Sequence, residues 1–178
     1  MSVGIPVPDV PINFVPAKAG EIITIGTLKM RIMEDGSNTG LLDSFVSAQR
    51  LGTVESIIPP HTPGPTAHWH EMHDETFLIT KGTVRFHIPP HPKNPTEKII
   101  DAHEGDYVTV PIRAPHTFSN PTDAESRFVC TMTPCFYVNY FKLLSQIAEE
   151  GKPMTKEANI KAMAVYATLP VEQGGPLA

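Results

Sequence analysis

Gly64-Pro65-Thr66-Ala67-His68-Trp69-His70-Glu71-Met72-His73-Asp74-Glu75-Thr76-Phe77-Leu78-Ile79-Thr80-Lys81-Gly82 is the stretch on which the reading of this chain turns. Its skeleton is His-x-His, four residues, Glu, six residues, Gly. On a strand, residues i and i+2 project from the same face, so His68 and His70 stand side by side. Glu75 follows a short connection, from which a neighbouring antiparallel strand aims it back at the same spot. Two imidazoles and a carboxylate converging on one point suit a divalent transition metal. Such a set needs another partner from elsewhere in the chain, and His116 is available.

The remainder of the chain reads as mostly strand. At 178 residues with 40% hydrophobic content, one domain with a sizeable core is expected. The net charge of -5, with no basic block, argues against a nucleic-acid partner. Nineteen prolines favour loops over long central helices. Cys130 and Cys135 read as two reduced core thiols of an intracellular protein. Met1–Gly20 lacks a basic start and a continuous apolar run, and no stretch approaches a membrane span. The expected location is therefore cytoplasmic, with no membrane partner.

Residues 1–20, carrying Pro6, Pro8, Pro11 and Pro16, are expected to form an extended arm whose Ile12, Phe14 and Val15 bury against something. The barrel is expected over 21–136. Glu21–Met33 reads as a strand, with Leu28, Met30 and Ile32 alternating against Lys29 and Arg31. Leu41–Gln49 and Thr53–Ile58 read as further strands. Pro59, Pro60, Pro63 and Pro65 make a stiff loop, with His61 at its surface. Val84, Phe86 and Ile88 alternate with Arg85 and His87, and the chain returns over Glu97–Asp101 and Tyr107–Val110. Pro111–Pro115 forms a bend that delivers His116 to a strand. Ser126–Thr133 follows, with Phe128, Cys130 and Met132 on one face. Short strands separated by turn signals define an all-β sandwich or barrel.

The region 137–178 changes period. Tyr137, Tyr140, Phe141, Leu144, Ile147 and Ala148 recur at helical spacing up to Gly151. A second helix is expected from about Thr155, with Ile160, Met163 and Ala164 on one face. These short helices and the tail pack on the barrel, closing an edge or covering a pocket mouth.

The two stretches resemble the paired motifs of the cupin superfamily. Gly64, His68, His70, Glu75 and Gly82 match the first, with a shorter interval before His68. Gly105, Pro111, His116 and Asn120 match the second, with Arg113 where the family usually has glycine. The resemblance implies a jelly-roll β-barrel, the double-stranded β-helix, with short C-terminal α-helices. It places His68, His70, Glu75 and His116 around one divalent ion: Fe, Mn, Ni, Co, Cu or Zn. It also implies a homodimer that exchanges N-terminal strands. His73, in the connection between strands, reads as a surface or structural histidine, His87 as outward-facing and His103 as solvated.

Parity extends the site. Thr66 shares the face of His68 and His70, Phe77 and Ile79 that of Glu75, and Phe118 that of His116. Together they form an expected apolar substrate-binding wall, suited to a flat, aromatic or polyketide-like small molecule with a few oxygens. No Gly-rich phosphate cradle accompanies it. Three activities fit. The first is a dioxygenase resembling quercetinase-type cupins, with Glu75 as the catalytic proton acceptor. The second is a redox-neutral metal enzyme catalysing isomerisation, dehydration, decarboxylation or cyclisation. The third is a small-ligand-binding module, weakened by the lack of a DNA-binding helix-turn-helix segment.

Overall fold

The computed structural model describes residues 11–39, 50–91, 93, 95–151 and 154–171. The chain runs through β1 (Glu21–Ile25), β2 (Leu28–Asp35), β3 (Gly52–Ile58), β4 (His68–His70), β5 (Asp74–Lys81), β6 (Thr83–Ile88), β7 (Lys98–His103), β8 (Tyr107–Val110), β9 (Thr117–Ser119) and β10 (Ser126–Thr133). A short 3-10 turn over Cys135–Tyr137 leads into α1 (Val138–Glu149), α2 (Lys156–Val165) and a final strand β11 (Thr168–Pro170).

Strand β10 organises the larger sheet. It pairs antiparallel with β3 on one side and β5 on the other, giving the order β1-β2-β3-β10-β5-β8. Its burial alternates strictly: Phe128, Cys130 and Met132 face inward, while Val129 and Thr131 are half-buried. Strands β7-β6-β9 form a second sheet, and β11 pairs with β4. Two isolated bridges, Thr62 with Asn120 and His68 with His116, tie the segment before and into β4 to the β9 region. The core lies between the sheets. Phe77 of β5 meets Phe86 of β6 at 5.1 Å, and Phe118 of β9 meets Phe128 of β10 at 5.2 Å, both edge-on, a favourable aromatic geometry. This is the jelly roll of the double-stranded β-helix.

Asn120 shows why an amide belongs at its position. It is fully buried, its Nδ2 donates to the carbonyls of Ile58, Pro59 and Ala124, and its Oδ1 accepts from Thr122. One side chain thus satisfies the backbone of two loops that no strand pairs.

Several elements differ from expectation. Glu21–Met33 is a hairpin, because Gly26 takes a left-handed φ of 59° and Ile25 pairs with Leu28 across a two-residue turn. Of the expected arm, Ile12 and Phe14 are 94% and 81% exposed and Val15 is half-buried, so the arm buries neither large side chain against this chain. The strand expected at Leu41–Gln49 lies outside the described residues. Helix α2 begins where expected, with the Thr155 hydroxyl accepting from the Ala158 amide. Its inner face uses Ala162 and Met163, while Ala164 is exposed. Both cysteines are free and buried. Among the described residues, no helix is long and apolar enough to cross a membrane.

Candidate metal centre and its cavity

Strand β4 presents His68 and His70 to the interior, both buried, while Trp69 between them is half-buried. The bridge to His116 is a reciprocal backbone pair: the His68 amide donates to the His116 carbonyl at 3.0 Å and the His116 amide returns the bond at 2.8 Å. That bridge sets His116 beside the β4 pair although 45 residues separate it from His70. Glu75 reaches the same point from the start of β5. Its Oε2 lies 3.2 Å from His70 Nε2 and 3.3 Å from His116 Nε2. The side-chain nitrogens of His68, His70 and His116 lie within 4.8 Å of one another. The four expected ligands are therefore brought together.

The hydrogen bonds on the far side of each ring decide which nitrogen faces inward. His68 Nδ1 meets the Thr66 carbonyl at 2.7 Å, and His116 Nδ1 meets the Ala114 carbonyl at 3.0 Å. A carbonyl only accepts, so in each ring Nδ1 carries the hydrogen and Nε2 is the free lone pair. His70 Nδ1 lies 2.8 Å from Thr168 Oγ1, whose own hydrogen goes to the Tyr166 carbonyl at 3.3 Å. The same tautomer follows. Backbone or hydroxyl support of this kind orients histidine ligands in metal sites.

The result is an electron-rich centre. Nε2 lone pairs face a buried carboxylate, and His70 Nε2 has no hydrogen-bond partner despite its 3.2 Å approach to Glu75. Burial first, then the neighbouring His116 and His70, lowers His68 to about 3, so its ring is neutral near pH 7. Burial also lowers His70, against the pull of Glu75. For Glu75, burial acts upward, but the imidazoles of His70, His116 and His73 outweigh it and hold the carboxyl well below its usual range. Converging lone pairs with a buried anion suit a divalent cation, and the donor set of three imidazoles and a carboxylate fits a transition metal.

One side of the centre opens on a cavity of about 450 Å³. His68, Glu75 and His116 form its polar end, and Phe77, Phe118 and Phe128 form an aromatic wall. Helix α1 contributes Tyr140, Phe141 and Leu144. Thr66 lines the cavity at its exposed end. Ile79 does not line it. It is buried opposite Phe128, two positions further along β5 than Phe77, in the packed part of the core.

Three residues near the centre were not expected there. His73 is completely buried, with Nε2 3.7 Å from Glu75 Oε1, so it is not a surface histidine. Tyr137 lines the cavity and packs 4.7 Å from His70 and 4.6 Å from His73. Burial, then the charge of Glu75, pushes its phenol well above the usual range, so it stays protonated. Thr168 supports His70 from β11, a three-residue strand with too little pattern to read. His87 is half-buried and contacts Glu97 and Ser119, whereas His61 and His103 are exposed. Arg113 keeps the bend before His116 despite replacing glycine. It takes φ 67°, its amide donates to the His70 carbonyl at 2.8 Å, and its Nε donates to Glu71 Oε2 at 2.8 Å.

Residues 54–132 match the family model described as a cupin domain. That segment, which holds His68, His70, Glu75 and His116, is a cupin domain. No curated protein matches the chain. Among solved structures, it is similar to the polyketide cyclase RemF from Streptomyces resistomycificus. The identity is 14%, with a TM-score of 0.53 over 70% of this chain and 80% of that one. KdgF from Halomonas sp. is also 14% identical, with a TM-score of 0.50 over 68% of this chain and 94% of that one. CapF, solved with the inhibitor 3-isopropenyl-tropolone, is 12% identical with a TM-score of 0.53, over 85% of this chain and 34% of that one. At these identities the likeness is one of fold.

Proposed function

We propose that this protein is a metal-dependent cupin oxygenase. Its substrate is a small, uncharged, ring-containing molecule with a phenol or enol oxygen. The observation that carries this is the cavity lining. Its only carboxylate is Glu75, and no aspartate, lysine or arginine joins it among the described residues. A phosphorylated or multiply charged substrate would find no lysine or arginine there to pair with beyond the metal centre itself. A flat molecule finds aromatic walls and a single polar end.

When bound by His68, His70, Glu75 and His116, a divalent transition metal would supply Lewis acidity and the one-electron chemistry that allows O2 to react with a closed-shell organic molecule. The chain's own residues do the rest. Phe77, Phe118 and Phe128 hold the ring by stacking and edge contacts. Glu75, the lining's one ionised carboxylate, accepts the hydroxyl proton of the substrate. Neutral His68 cannot supply a proton near pH 7, so it acts as a ligand and not as an acid. The apolar wall excludes water from the activated ring.

A redox-neutral reaction is the second reading. Tyr137 favours it, because a phenol kept protonated at the cavity wall is a ready proton donor. The similarity in fold to a polyketide cyclase accords with that chemistry. The test is oxygen uptake by the metal-loaded protein with a panel of two- and three-ring phenols and enols. One O2 consumed per product, with both atoms recovered in it, is the expected result. Product formed under strict anaerobiosis overturns the oxygenase in favour of the redox-neutral enzyme.

A further inference from the structure

We infer that His73 is a positioning residue that holds Glu75 to binding through one oxygen, an inference that rests on reading His68, His70, Glu75 and His116 as a metal set. His73 sits in the connection between β4 and β5, where a histidine would ordinarily be solvated. Instead it is 0% exposed, and neither ring nitrogen has a hydrogen-bond partner. Burying two unpaired polar atoms costs stability, and a phenylalanine of similar shape would avoid that cost.

The surroundings fix where this ring can act. It packs against His70 at 3.9 Å and Tyr137 at 4.6 Å, tilted 35° and 32° to them, with Phe136 edge-on at 5.3 Å. Clamped on three sides, the ring presents Nε2 to Glu75 Oε1 at 3.7 Å. The other carboxylate oxygen, Oε2, is the one that faces His70 and His116. His73 groups with His70 and Glu75 as possible ligands. It stands on the Oε1 side of the carboxylate, away from the oxygen that His70 and His116 share.

The two oxygens of Glu75 thus have different partners. A distance of 3.7 Å is too long for a hydrogen bond, so the inferred bond requires the carboxyl group to turn towards His73. With Oε2 directed to the ion, Oε1 is left to accept from His73 Nε2–H. That bond opposes two-oxygen binding and keeps a coordination position free for substrate. Ligand carboxylates in metal sites are commonly oriented this way by an outer partner.

The test uses the full chain loaded with Co(II), with His73→Phe and His73→Gln as variants. Phenylalanine keeps the packed ring and removes the N–H, and glutamine restores an N–H near Nε2. In His73→Phe, Co(II) affinity should fall about tenfold or more, the range for loss of an outer-shell partner. Its visible Co(II) spectrum should change in intensity, as a change in coordination number requires. The metal-free melting temperature should hold or rise, because two unpaired polar atoms are gone. His73→Gln should recover most of the affinity and the wild-type spectrum. Wild-type affinity and spectrum in His73→Phe would overturn the inference while leaving the metal set intact. A lowered melting temperature in both variants, with equal loss of Co(II) binding, would make His73 merely structural and also overturn it. Failure of the wild-type chain to bind Co(II) would overturn the metal reading and this inference together.

Discussion

Gly64 lies so close to Phe118 that a Cβ at position 64 would overlap the Phe118 carbonyl. The approach holds the proline-rich loop against β9, where the Thr117 hydroxyl also donates to the Pro65 carbonyl at 2.6 Å. Two residues beyond Gly64, the Thr66 carbonyl receives His68 Nδ1–H, so the same loop sets the first ligand's tautomer. Gly64→Ala should therefore cost roughly 1–3 kcal/mol of stability, the usual penalty for forcing atoms into a packed site. It should also weaken metal binding by displacing Thr66. Denaturant unfolding and metal titration read the two effects, and a variant with wild-type values in both would show that the loop yields freely.

Parity carried most of the site into view. His68 and His70 were legible because two residues apart on a strand means one face, and Phe77, Phe118 and the β10 stripe followed the same rule. Where the chain leaves regular period, legibility stopped. His73 sits in a connection, and its burial comes from Tyr137 and Phe136 folding over it from the far end of β10. Thr168 occupies a strand too short to carry a pattern. Tyr137 was readable only as part of a helical stripe, although it belongs to the 3-10 turn at the cavity wall. Ile79 shows the converse error: the correct face does not guarantee the correct depth.

Arg113 tests whether the turn needs its glycine. A non-glycine residue at φ 67° carries a left-handed penalty of about 1–2 kcal/mol. The exposed ion pair to Glu71 returns little of this, because solvent screens it. The backbone bond to the His70 carbonyl survives any substitution that keeps the turn. Arg113→Gly should thus be at least as stable as wild type and keep its metal affinity. Arg113→Val, with a β-branched side chain, should be destabilised. Parallel denaturant curves decide, and equal losses in the two variants would place the stability in the arginine side chain.

The ligand set makes a sharper demand. His68→Ala or His116→Ala removes one direct donor and leaves the aromatic core intact. Metal affinity should drop by more than about 100-fold, beyond the range for outer-shell partners, with far-ultraviolet circular dichroism unchanged. Elemental analysis of each purified variant is the measurement. Full metal content in both would remove these imidazoles from the ligand set.

Acid sensitivity should centre on Lys142. Its ammonium reaches Asp35 at 2.8 Å and Glu21 at 2.9 Å, pinning α1 to β2 and β1. Hydrogen bonds from Lys142 and then Ser37 lower the Asp35 carboxyl from 3.8 to about 2. A folded value below the unfolded one means the stabilisation is complete above 3.8 and fades as pH falls towards 2. Asp35→Asn should cost about 1 kcal/mol near neutral pH, partial exposure limiting the effect, and nothing once the pH is below both values. Unfolding free energies measured across that window should converge for the two proteins, and a constant offset would assign the loss to packing.

Ser56 carries a buried, unpaired hydroxyl in the cavity wall. It is 0% exposed, its Oγ has no hydrogen-bond partner, and it lines the cavity between Val54 and Ile58 on the inner face of β3. Strand β10 separates it from Glu75, with Ser56 level with Phe128 and Glu75 level with Met132. Under the proposed function, the hydroxyl would meet a part of the substrate remote from the reacting oxygen. In the ligand-free chain, Ser56→Ala removes an unsatisfied buried group and should stabilise the fold by about 1 kcal/mol. With substrate, it removes one hydrogen bond of about 0.5–1.5 kcal/mol, so KM should rise roughly 2- to 12-fold with kcat unchanged. Uniform binding of this kind touches ground and transition state alike, which is why kcat is spared. A thermal melt without ligand and a saturation curve with it test the two halves separately. A fall in kcat at constant KM would move Ser56 from the far wall to the chemistry.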